Sequence, residues 1–155
     1  MFHNFPTEFL YSPYKLDVTF TDDIGTTKTV SGTGFVISLS DGSPALITNR
    51  HVLDLNYCDH QYKYFRPKTI FGTGRQSNDD LYRFTIDPTH ESECSCILYP
   101  NNHLNDVAMI VRPFIIDLST LPNGNLHYHF VLEHLADESY FQTALELDFI
   151  RLEQR

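Results

Sequence analysis

Tryptophan is absent from this chain, cysteine occurs three times, and Lys and Arg together number 11 against 20 Asp and Glu. Each shortage excludes something. A net charge of -9 leaves no cationic face to neutralise phosphates, so neither a nucleic acid nor an anionic membrane surface is an expected partner. Cys58, Cys94 and Cys96 are an odd set that makes no disulfide framework, and a reduced, cytoplasmic compartment is the simplest expectation. No apolar run is long enough to cross a bilayer. The opening MFHNFPTEFLYSPYKL lacks a basic segment followed by a continuous apolar stretch, so no secretory signal is expected. A glycine-rich phosphate loop before a helix is missing, as are internal repeats and low-complexity runs.

What remains is a globular composition in 155 residues, enough for one domain with its own core. Twelve Phe and nine Tyr favour strands, where aromatic side chains fit the pleat. LDVTFT, residues 16–21, sets Leu16, Val18 and Phe20 against Asp17, Thr19 and Thr21. TKTVSGTGFVISL (27–39) is β-branched and carries Gly32 and Gly34, which predict a bulge or a tight bend. The Asp41-Gly42 pair then predicts a hairpin turn into a second strand, ALITNRHVLD (45–54). Further strands are expected in 63–72, 81–87, 94–100 and 106–114, separated by the polar segments GTGRQSNDD, DPTHESE and PNNHLND. Pro67 should confine its strand to an edge or a bulge. Residues 126–149 read as strand at LHYHF and as helix at FVLEHLADESYF. The spacing predicts an all-β sandwich or barrel.

The hairpin runs directly into Arg50 and His51. GTGFVI followed by ALITNRHV resembles the trypsin-like (chymotrypsin-fold) serine peptidases, in which a strand of this kind delivers the catalytic histidine. The resemblance implies a carboxylate opening a later buried strand in an Asp-aliphatic-Ala-aliphatic pattern. DVAMIV supplies it, with Asp106 lying 55 residues after His51 and in the His-before-Asp order of that triad. By this resemblance His51 is the general base and acid, and Asp106 orients it. The chemistry suits the residue types. Imidazole takes a proton near neutral pH, and a carboxylate accepting from Nδ1–H fixes the tautomer and stabilises the imidazolium. Arg50 reads as a solvated rim residue.

The family's nucleophile, in a Gly-x-Ser-Gly turn, is missing. Ser31 precedes Gly32 but lies before His51 within a strand, and Ser43 sits in the hairpin turn. Ser77, Ser92, Ser95, Ser119 and Ser139 have no glycine neighbour, and no cysteine fits the motif. The expected fold is therefore a Greek-key antiparallel β-barrel, the first barrel of a double-barrel trypsin-like fold, with a short helix toward the C-terminal part. The expected organisation is an extension over 1–15, the barrel over 16–150, and the start of a connector at 151–155. A second barrel, supplied downstream or in trans, would bring the serine, the oxyanion hole and the specificity pocket. The expected partners are that barrel and a peptide or protein substrate, with no cofactor and no metal. One rival reading is a non-catalytic β-barrel module that binds a protein. Another is a metal site on His127, His129 and His134, and Cys94 with Cys96 reads as two small residues on a strand face rather than half a zinc site.

Overall fold

Strand β1 (Pro13–Thr21) shows how the alternation in the sequence becomes a core. The structure is a computed structural model and describes residues 11–75, 81–89, 96–111, 113, 130 and 131. Tyr14, Leu16, Val18 and Phe20 are completely buried, whereas Lys15 is exposed and Asp17, Thr19 and Thr21 are half-buried. Each such apolar side chain contributes roughly 1.5–3 kcal/mol relative to exposure. Strand β2 (Thr27–Ser38) returns antiparallel to β1, and β3 (Pro44–Thr48) pairs back on β2. Two single helical turns follow, α1 (Arg50–Leu53) and α2 (Leu55–Cys58), then a tighter turn at His60–Tyr62. The remaining strands are β4 (Arg66–Arg75), β5 (Leu81–Ile86), β6 (Cys96–Leu98), β7 (Ala108–Val111) and β8 (Phe130–Val131).

The sheet order is β5-β4-β1-β2-β3-β7-β6, and β8 lies parallel beside β2. Within it, β4-β1-β2-β3 is a Greek key: three hairpin-linked strands and a fourth that returns to pair with the first. One cluster contains Ile86 of β5, Ile70 of β4, Val18 of β1, Val36 of β2, Leu46 of β3 and Ile110 of β7. Those six strands would span about 24 Å if laid flat. Among the described residues no second sheet covers them, so this inner face is buried by curling on itself. The fold is all-β, an antiparallel Greek-key sheet curled into a half-barrel.

Local expectations are met unevenly. Pairing of β1 with β2 runs unbroken from Pro13–Phe35 to Thr21–Thr27, so Gly32 and Gly34 mark no bulge. They face the crowded interior instead. The register slip lies on the other side of β1, between Thr19 and Phe20, where Pro67 of β4 stands opposite Phe20. Proline has no N–H to give a ladder, so it sits where the ladder is already interrupted. The Asp41-Gly42 pair does close the hairpin: Leu39 N–H donates to the Ser43 carbonyl, and Gly42 takes φ 79°, a backbone state that favours glycine. GTGRQSNDD was expected as a loop, yet β4 continues through Gly72 and Gly74 to Arg75, paired with β5. The ring of Phe84, cross-strand from Gly72, fills the space its missing side chain leaves and packs edge-on against Tyr14 with centroids 5.4 Å apart. Of the segment FVLEHLADESYF, read as helix, only Phe130 and Val131 are described, and they form β8; its other residues, the histidines 127, 129 and 134, and Cys94 lie outside the described residues.

A methyl group at Gly72 would fall inside the Phe84 ring. Gly72→Ala should therefore destabilise the chain by about 1–3 kcal/mol through overpacking, measured by urea denaturation. Phe84→Leu should cost less in the Gly72→Ala background than in the parent chain. Strict additivity of the two would mean that the ring does not occupy that space.

Candidate active site

The sequence predicts that β3 runs through His51, but the strand stops at Thr48, where the Thr48 hydroxyl donates to the Thr33 carbonyl at 2.8 Å. The reason lies just beyond. Val52 and Leu53 are adjacent and both only 1% exposed. A strand would send them to opposite faces, whereas a helical turn lets both reach the core. The turn can come this close because of Gly32: a Cβ there would collide with both methyl groups of Val52. His51 thus stands on a helical turn seated against β2, not at a strand end.

Asn49 occupies the N-cap position of α1 with extended backbone, φ -72° and ψ 146°, but its side chain makes no cap hydrogen bond. Its amide instead donates to Asp106, at 3.0 Å to the backbone carbonyl and 3.3 Å to Oδ2. The N–H that a capping side chain would have satisfied is that of His51, and it donates to Asp106 Oδ1 at 2.9 Å. Meanwhile His51 Nδ1 lies 2.6 Å from Asp106 Oδ2. One carboxylate therefore caps the turn and orients the imidazole of the same residue. Asp106 holds this position from the loop two residues before β7.

Partial burial pushes the Asp106 carboxyl up. The backbone and ring hydrogen bonds from His51, the His51 charge and the Asn49 amide outweigh it, so the carboxyl titrates below the usual range. At neutral pH it is a carboxylate, and the proton in the short contact belongs to Nδ1. In the neutral imidazole Nε2 then carries the lone pair. The His51 side chain is 43% exposed, so the ring is accessible from solvent.

Arg50 is not the solvated residue its position suggested, because its side chain is only 14% exposed. Nε and one terminal nitrogen donate to Asp54 Oδ2 at 3.2 and 3.1 Å, and the guanidinium carbon lies 4.8 Å from the ring centroids of both Tyr57 and Tyr99. Another terminal nitrogen is 3.4 Å from His103 Nδ1. The Tyr99 hydroxyl donates to the Leu53 carbonyl at 3.3 Å. Burial around that hydroxyl, reinforced by the Asp54 charge and opposed by Arg50 and Arg66, pushes its pKa up to about 12.

The structure thus brings together the two residues singled out in the sequence, His51 and Asp106. It adds Asn49, whose signal was readable as an Asx residue directly before a turn, and Arg50 with its tyrosines, for which no spacing gave a signal. Cys58 is exposed and free, and among the described residues no group of three or more His, Cys, Asp or Glu converges as for a metal ion. No family model, curated protein or solved structure matches the chain. The geometry of the pair allows it to accept a proton at Nε2 and stabilise the resulting imidazolium.

Two variants separate the carboxylate's tasks. Asp106→Asn keeps an oxygen for the His51 amide, whereas Asp106→Ala removes it, so the alanine variant should be less stable by about 1 kcal/mol in urea, the usual worth of a cap. The native carboxyl titrates below its unfolded value. Its contribution is therefore complete above the unfolded pKa of about 3.9 and is lost as pH falls through the folded one. Over the acid range from about pH 5 downward, the stability gap between parent and Asp106→Asn should narrow once the pH falls below about 4. A gap that widens as the pH falls below about 4 would contradict this assignment.

Proposed function

We propose that His51 and Asp106 are the general base and the orienting carboxylate of a trypsin-like serine endopeptidase whose nucleophilic serine lies outside these 155 residues. The observation that carries the reading is the 2.6 Å contact between His51 Nδ1 and Asp106 Oδ2, reinforced by the bond from the His51 amide to the other carboxylate oxygen. Nε2 takes the proton of the incoming serine hydroxyl as the oxygen bonds to the scissile carbonyl carbon, and Asp106 stabilises the imidazolium. When the tetrahedral intermediate collapses, Nε2 gives that proton to the departing amine. The acyl-enzyme is then cleaved by water, activated at the same nitrogen. The oxyanion-hole donors and the substrate pocket come with the serine.

Exposed apolar residues on either side of Asp106 support a site completed by another body. Leu104 is 87% exposed and Val107 45%, directly flanking the carboxylate's loop. The missing Gly-x-Ser-Gly turn favours a second reading, a non-catalytic β-barrel module that binds a protein and keeps the His-Asp pair as a fixed feature.

The deciding comparison pairs the 155 residues alone with the same residues expressed together with whatever coding sequence follows Arg155. Each is challenged with peptide libraries and a serine-directed phosphonate. Turnover and labelling should appear only in the longer polypeptide, and His51→Ala should lower kcat by on the order of 10⁴-fold. His51-dependent cleavage by the short chain would place a nucleophile within it. Inert behaviour of both would favour the binding module.

A further inference from the structure

We infer that Arg50 is a positioning residue for His51, acting through a clamp that ties the helical turn bearing the imidazole to the loop bearing Asp106. This rests on reading His51 and Asp106 as a working base pair. Helix α1 has four residues and no side-chain cap of its own. A single turn does not hold itself, because nucleation fixes several dihedrals for one hydrogen bond. Its inner side is anchored by Val52 and Leu53. Its outer side is anchored by Arg50, which grips Asp54 just past the end of the turn with two nitrogens and lies against Tyr57 of α2 and Tyr99.

Tyr99 makes this more than a local staple. It belongs to the segment between β6 and β7 that leads to Asp106, and its hydroxyl bonds back to Leu53, the last residue of α1. His103, from the same segment, meets another guanidinium nitrogen. Segments 49–57 and 99–106 are thus joined twice, by the Asp106 bonds to Asn49 and His51 and by the cluster around Arg50. An exposed ion pair would contribute little, but Arg50 and Asp54 are only 14% and 20% exposed. A planar guanidinium can stack on rings and donate along a fork at once, which a lysine ammonium does not. Loss of the clamp leaves the core intact and frees the turn to rock about its inner anchor, so the ring leaves the carboxylate part of the time.

The readout is the His51 Nδ1 proton in the NMR spectrum of the 15N-labelled 155-residue chain. A proton held against a carboxylate at this distance resonates far downfield and is shielded from exchange; its assignment follows from its loss in His51→Ala. In Arg50→Gln the proton should exchange with water roughly tenfold faster or more, the factor expected for losing a charge-assisted contact. Circular dichroism should remain the parent's, and the thermal midpoint should fall by only the few degrees that a tenfold change in an equilibrium implies. Tyr57→Leu removes one ring from the guanidinium, should shift exchange in the same direction, and takes over the test if Arg50→Gln does not fold. Parental exchange in a folded Arg50→Gln or in Tyr57→Leu overturns the positioning role and leaves the His51–Asp106 pair standing. Absence of the downfield proton from the parent chain overturns the pair and the clamp together.

Discussion

The Asp106 carboxylate accepts hydrogen bonds from the His51 amide, the His51 ring and the Asn49 side chain. It joins chain segments separated by 55 residues and supplies the acceptor that a short helical turn needs at its start. Removing the charge weakens the ring contact, and removing the oxygen also uncaps the turn. This double duty explains why Asn49 occupies the cap position without capping. Its amide helps to hold the acceptor that caps in its place. A carboxylate with three donors and partial solvent access stays ionised, and that is the state in which it stabilises an imidazolium.

The turn itself exists because of packing. Val52 and Leu53 enter the core side by side, and the absence of a side chain at Gly32 opens the seat for Val52. Strand β2 thereby supports the site from below while its residues 27–35 pair with the whole of β1. The interior is organised by the same device elsewhere, with Phe84 occupying the space over Gly72. Rigid strands hold the ends of the two loops, β3 before Asn49 and β7 after Asp106, as direct neighbours in the sheet. The pairing of Thr48 with Ala108 is what brings residues 49–51 and 106 within reach of each other. Mounting of this kind suits a proton acceptor, whose usefulness depends on fixed geometry.

Alternation and turn residues in the sequence determined most of the sheet. Leu16, Val18 and Phe20 point inward as the period of two requires, and Asp41-Gly42 closes the hairpin. His51 and Asp106 were legible as a pair because each stands in a short local pattern beside a strand, and the order of the two patterns resembles a known arrangement. Only tertiary structure decided how the strand ends, where the register slips, and that β4 extends through two glycines into what reads as a loop. Those outcomes depend on volumes contributed by residues distant in sequence, such as Val52 over Gly32 and Phe84 over Gly72, and a local pattern does not encode them. The cluster around Arg50 is of the same kind. Tyr99 reaches Leu53 across 46 positions, so its contact exists only once the sheet has curled and brought the segment before β7 against α1.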